Sequence, residues 1–262
     1  MNINGSFVNY IELGSAKKST IVLLHGWGQN IEMMKPLGDF FKRNHRVIII
    51  DLPGHGKSHE PTFDYSIYDF AIVINELLKK LKVTNPILIG HSFGGKIALL
   101  YSSLFQVNKL VVLGSPYRKS QKQDSVKLKL LKGLKKIPFL QPFEEFAKNR
   151  MGSSDYRNAS KIMRQTLVNS VSFDLSNDVK KITAPTLIIW GSRDEAVPLK
   201  EAEDLEKLIS NAGLVVIENA THYAYLEHLS YVLKVINKLI EGWFNDWKNS
   251  NNSFNFLCNY QV

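Results

Sequence analysis

Cysteine is almost absent from this chain: Cys258 is the single one in 262 residues. One thiol excludes an intramolecular disulfide framework and suits a reducing compartment, so a cytoplasmic setting is expected. Long apolar runs are missing as well. No stretch approaches the ~20 residues needed to cross a bilayer, and Met1-Asn2-Ile3-Asn4-Gly5-Ser6 has neither the basic start nor the apolar core of a signal peptide. A soluble protein is expected. The seven histidines are dispersed, and none stands at zinc-ligand spacing from a cysteine, so neither a metal site nor a cofactor is expected.

Hydrophobic residues, by contrast, make up 44% of the chain, enough for one large core with an inserted subdomain. Short β-branched runs recur at Thr20–His25, Arg46–Asp51, Pro86–Gly90, Lys109–Gly114, Pro185–Gly191 and Leu214–Ile217. Uninterrupted runs of this kind suit strands buried on both faces, and the stretches between them supply crossover helices. The fold class is therefore α/β, a mostly parallel sheet covered by helices. Ser6–Leu13 reads as an antiparallel edge strand or hairpin before it.

This rhythm breaks between residues 116 and 183, where helix-like and basic segments replace strands, divided by Pro138, Pro142 and Gly152. The expected organisation is a core of residues 1–115 and 184–247, an inserted helical cap over 116–183, and a frayed tail over 248–262. The formal net charge is +9, and residues 116–150 carry ten Lys or Arg against three acids. Within them, Leu130, Leu131, Leu134 and Ile137 share a helical face among lysines. A weak contact between this basic cap and anionic membrane surfaces is one expectation, solvated lysines the plainer one; no nucleic-acid partner is expected.

The chemistry starts at Gly90-His91-Ser92-Phe93-Gly94, which lies between a strand-like run and the helix-like Gly95–Tyr101. A strand-turn-helix corner forces its central residue into strained backbone geometry and pushes the serine hydroxyl out at the sheet's carboxyl edge. A serine hydroxyl needs a base and an orienting acid to act as a nucleophile. Asp194 follows the strand ending at Gly191, and His222 follows the next strand, so Ser92, Asp194 and His222 sit in three loops that parallel strands bring to one edge. In that arrangement His222 takes the Ser92 proton while Asp194 fixes its tautomer. Glu195 and Glu218 are competing acids. The oxyanion hole is assigned to the N–H groups of Phe93, at a helix amino terminus, and Trp27, in the turn after the first long strand; His25 is expected to brace that turn.

Together, His25-Gly26-Trp27-Gly28, Asp51-Leu52-Pro53-Gly54-His55-Gly56-Lys57-Ser58, Gly90–Gly95, Gly191-Ser192-Arg193-Asp194 and Thr221-His222 resemble the α/β-hydrolase superfamily over about residues 18 to 245. The resemblance implies an eight-stranded sheet with a helical cap after its sixth strand, structural roles for Asp51 and His55, and a cap that sets substrate choice. Serine at the nucleophile position points to attack on a carbonyl, where aspartate would displace at an sp3 carbon. The expected function is therefore hydrolysis of small carboxylic esters or thioesters through an acyl-enzyme, with Trp27, Phe93, Tyr117, Phe139 and Phe143 forming an aromatic site for short to medium acyl chains. The alternatives are a C–C bond hydrolase or lyase with the same triad, for which Lys96 would serve a carboxylated substrate, and a ligand-binding receptor on the same fold.

Overall fold

The computed structural model describes residues 1–3, 5–15, 19–119 and 159–242. The strands are β1 (Asn2–Ile3), β2 (Ser6–Phe7), β3 (Tyr10–Leu13), β4 (Thr20–Leu24), β5 (Arg46–Ile50), β6 (Ile87–His91), β7 (Lys109–Leu113), β8 (Thr186–Gly191) and β9 (Ala212–Ile217). The helices are α1 (Ile31–Phe41), α2 (Ile67–Lys80), α3 (Phe93–Leu104), α4 (Lys161–Ser172), α5 (Leu199–Leu208), α6 (Ala224–Glu227) and α7 (Leu229–Glu241).

Among the described residues, seven strands form the main sheet in the order β3-β5-β4-β6-β7-β8-β9. All neighbours from β5 to β9 are parallel, and β3 closes one edge antiparallel to β5. The sheet differs from the eight-stranded one that the family resemblance implies. Residues 2–7 turn back on themselves around Gly5, whose φ is +85°, so β1 and β2 pair only with each other. The long segment expected to be a cap accordingly follows β7, the fifth strand of this sheet, and precedes β8.

Alternate residues of each buried strand serve opposite layers. Val22, Leu24, Ile48, Ile50, Leu88, Val112, Ile188 and Trp190 join α2, α3 and α5 in one core. Ile21, Leu23, Val47, Ile49, Ile89, Val111 and Ile189 join α1 and α7 in the other. That division explains why the strands read as unbroken apolar runs: both faces are dry. Sequence reverses direction around β4, which lies between β5 and β6, and in open α/β sheets the crevice at such a point, beyond the strands' carboxyl ends, is where ligands bind.

α4 and the short turn Val179–Lys181 lie in the segment between β7 and β8 that the sequence assigns to a cap. α4 starts at Ser160, whose side chain accepts the Met163 N–H. Phe139, Phe143, the basic stretch 127–137 and the tail 248–262 with Cys258 lie outside the described residues.

Candidate active site

Ser92 ends the turn from β6 into α3 with φ 50° and ψ −112°, a left-handed backbone that a side-chain-bearing residue adopts only under constraint. Its neighbours supply that constraint. A Cβ on Gly94 would lie 2.4 Å from the His25 carbonyl oxygen, and one on Gly90 would lie 2.5 Å from the Gly94 carbonyl oxygen. Helix and strand can approach this closely only through glycine, which is why the elbow reads G-x-S-x-G. Ser92 N–H donates to the Leu113 carbonyl at 2.9 Å, tying the elbow to β7.

Asp194 and His222 meet across the loops that follow β8 and β9. His222 Nδ1 lies 2.7 Å from Asp194 Oδ2, and the Asp194 side chain has no exposure. The other carboxylate oxygen accepts the Ala196 and Val197 N–H groups, each at 2.9 Å. Held by two amides, the carboxylate keeps its other oxygen turned towards the imidazole, and a hydrogen bond from Nδ1–H to that oxygen leaves Nε2 free to accept a proton. Glu195 and Glu218 are exposed, and neither is the partner of His222. Residues 191 and 219–221 pack backbone to backbone: a Cβ on Gly191 would lie 2.3 Å from the carbonyl oxygens of Ala220 and Thr221. Glu227 accepts the Thr221 N–H at 2.8 Å and also the Thr221 hydroxyl, anchoring the start of the His222 loop.

Trp27 and Phe93 face each other edge to face with ring centroids 5.0 Å apart. Phe93 opens α3, so helix geometry leaves its N–H without an intrahelical acceptor. His25 braces the opposite turn: Nδ1–H donates to the Gly26 carbonyl at 2.7 Å and Nε2 accepts the Leu52 N–H at 3.0 Å. Burial lowers its pKa to about 4, so it stays neutral in that role. Asp51 is structural too, accepting from Ile31 N–H, Asn9 Nδ2 and Lys57 N–H. His55 packs edge-on against Trp27 at 4.8 Å.

Ser92, Trp27 and Phe93 line one cavity of about 570 Å³. Leu167, Ser170 and Val171 of α4, Pro116 and the Ala196-Val197-Pro198 segment that also caps Asp194 add to the wall, and the charged residues Lys96, Arg118, Glu195, Lys200 and Glu201 complete it. Of the three triad candidates, Ser92 lines this cavity, and Asp194 and His222 are not part of its wall. Tyr117 does not line it either. The Tyr117 carbonyl accepts the Leu175 N–H at 2.8 Å, the ring is buried in the core shared with α2, α3 and α5, and Arg118 stacks over it. Tyr117, expected to contact substrate, is thus buried and outside the wall formed by the described residues.

Sequence names Lys96 for a carboxylated substrate but does not show how the charged side chains of this wall are held. Lys96 Nζ enters the cavity wall yet donates to the carbonyls of Phe173 at 2.7 Å, Ser170 at 2.8 Å and Arg118 at 3.5 Å. Glu201 is buried beside it, with no hydrogen-bond partner on Oε2, and burial raises its pKa. Gly114 underlies the His222–Asp194 pair. Leu167 and Val171 do carry a legible signal, being one helical turn apart on α4.

The α/β hydrolase family model matches residues 21–232. A 2-hydroxy-6-oxononadienedioate/2-hydroxy-6-oxononatrienedioate hydrolase of Pseudomonas putida is 30% identical, covering 84% of this chain and 87% of its own. The pimeloyl-(acyl-carrier protein) methyl ester esterase of Aliivibrio fischeri is 26% identical, covering 80% and 89%. Among solved structures, the esterase EaEST from Exiguobacterium antarcticum superposes with a TM-score of 0.73 at 26% identity, covering 91% of this chain and 97% of its own. The chain belongs to the α/β hydrolase family. Among the described residues, no helix is long and apolar enough to cross a membrane.

Proposed function

We propose that this hydrolase cleaves small carboxylic esters or thioesters with short to medium acyl chains, using Ser92 as nucleophile, His222 as base and Asp194 as the acid that orients it. The observation that carries the reading is the 2.7 Å contact between His222 Nδ1 and a fully buried Asp194 carboxylate, in the loops of two successive strands beside the strained Ser92 elbow. Ser92 Oγ attacks the substrate carbonyl as its proton passes to His222 Nε2. Negative charge gathers on the carbonyl oxygen, where the Trp27 and Phe93 amides stabilise it in a dry, preorganised site. The imidazolium then protonates the departing alcohol or thiol, and a water, deprotonated by His222, releases the acid.

A second reading is cleavage of a C–C bond in a carboxylated substrate, favoured by Lys96 in the cavity wall and by the dioate hydrolase relative from Pseudomonas putida. Among the described residues, however, each cation on that wall already has acceptors. Lys96 is held by three carbonyls, Arg118 by Asp204 at 3.0 Å, and Lys200 by Asp204 at 2.9 Å. A neutral ester fits such a wall better than a carboxylate does. The proposal extends to a cytoplasmic setting, supported by the cysteine usage, and to a weak contact of the basic 116–150 segment with anionic lipid, tested by co-sedimentation with phosphatidylserine vesicles at low and high salt.

Ser92→Ala is the direct test. It should abolish covalent labelling by a fluorophosphonate and nearly all esterase turnover, with residual catalysis of about 10³ to 10⁴-fold over water, while thermal unfolding hardly moves. Labelling that persists in the variant rules out Ser92 as the nucleophile.

A further inference from the structure

Two loops must keep their relative position for this chemistry, the one bearing His222 and the turn bearing Trp27, and two side chains outside the triad bridge them. His91, fully buried at the end of β6, approaches the His222 carbonyl oxygen with Nε2 at 3.1 Å. A carbonyl only accepts, so Nε2 carries the proton and donates. Burial and the neighbouring His222 lower the His91 pKa to about 3, which keeps the ring neutral. Its other edge, Nδ1, is then unprotonated and packs 3.3 Å from Gln29 Oε1, a contact of two acceptors and no hydrogen bond, so His91 reaches the Trp27 turn by packing alone.

Gln29 spans the same gap through its amide. Oε1 accepts the Gly26 N–H at 2.9 Å, in the residue before Trp27, and Nε2 donates to the Tyr223 hydroxyl at 3.3 Å, in the residue after His222. No space is left between the two side chains and the turn: a Cβ on Gly26 would lie 3.0 Å from Gln29 Oε1 and 3.1 Å from His91 Nδ1. The His91 ring also packs against the rings of His222 and Tyr223, with centroids 4.9 and 5.4 Å away.

We propose that His91 and Gln29 are positioning residues that hold the His222 main chain and the Gly26-Trp27 turn in one geometry, so that base and oxyanion donor stay aligned on Ser92. This rests on the triad reading above. Neither side chain touches the reacting atoms, so their effect falls on kcat: a misplacement of about 1 Å in such a constellation costs on the order of 10²-fold.

The test compares ester hydrolysis by His91→Leu, His91→Gln, Gln29→Met, the Leu–Met double variant and Ser92→Ala, with cooperative unfolding of each checked first. His91→Leu should lower kcat by about 10- to 100-fold with KM within about threefold, since only transition-state alignment is lost. His91→Gln, which keeps an N–H donor at the reach of Nε2, should recover most of that loss. Gln29→Met should lower kcat about 10-fold, and the double variant should be no worse than about twofold below His91→Leu, because groups that act as one unit are not additive. Turnover within about twofold of wild type in folded Gln29→Met overturns the proposal, and that variant decides if His91→Leu does not fold. Equal losses in His91→Gln and His91→Leu, or additive losses in the double variant, overturn it as well. Labelling that survives Ser92→Ala would instead remove the triad reading beneath it.

Discussion

Gly114 lies where β7 ends, with φ +56°, and a Cβ built on it would stand 3.2 Å from His222 Nδ1 and 3.3 Å from Asp194 Oδ2. The residue thus decides how near the chain can pass beneath the His222–Asp194 pair. Gly114→Ala should displace that pair by a few tenths of an ångström and strain the backbone; we expect about 1 kcal/mol of destabilisation in urea unfolding together with roughly a tenfold fall in kcat. Unchanged kcat in the folded variant would mean that the pair tolerates the methyl group. Carboxylate identity is equally local. Asp194→Asn should depress turnover by up to ~10⁴-fold by favouring the wrong imidazole tautomer, whereas Glu195→Gln, at an exposed position, should stay near wild type. Comparable damage from both would reassign the acid.

At the scale of elements, Lys96 ties α3 to two stretches of the segment between β7 and β8, through Arg118 on one side and Ser170 and Phe173 on the other. Burial opposes its charge and lowers its pKa from 10.5 to about 8, with Glu201 and Asp174 pulling weakly the other way. Below pH 8 Lys96 is protonated in both the folded and unfolded states, so the burial penalty is constant. Between about 8 and 10.5 the unfolded chain holds the proton that the folded one has released, and linkage then makes folding more favourable as pH rises. Relative to Lys96→Met, wild type should therefore gain about 2 kcal/mol between pH 7.5 and 9.5, from a full swing of 1.36 kcal/mol per pH unit in that window. Urea unfolding of both proteins at the two pH values measures this; a difference that stays flat would place the Lys96 pKa outside the window.

For the molecule as a whole, cavity size bears on substrate. The described walls enclose about 570 Å³ and are mainly apolar around Ser92, with Trp27, Phe93, Leu167, Val171 and Val197 supplying the surface. One methylene more or less in such a pocket changes binding by only ~1 to 3 kcal/mol, so selection among acyl chains should be graded. Across p-nitrophenyl esters from two to sixteen carbons, kcat/KM should peak at short to medium length. A maximum at the longest chain contradicts the proposed acyl preference.

Much of the architecture was legible because its causes are local. A strand dry on both faces must be apolar at every position, so β4 to β9 announce themselves as runs, and a strand-turn-helix corner needs glycine wherever backbones touch, so the Ser92 elbow is written into five consecutive residues. The order of the loops after β6, β8 and β9 likewise follows from parallel strands pointing one way. What only the tertiary structure decided concerns atoms that meet across long stretches of chain. Periodicity cannot tell that Lys96 reaches the carbonyl of Ser170, 74 residues away, or that His91 meets the His222 main chain 131 residues on. It cannot tell that Asp194, and not the adjacent Glu195, turns inward, nor that Tyr117 enters the core instead of the cavity. The sheet's strand count belongs here as well, since Gly5 lets residues 2–7 pair with themselves. Sequence alone determined the elements and the residue types at the sheet's edge; only packing between distant segments determined which of those residues meet, because contact energies depend on distances that no local pattern encodes.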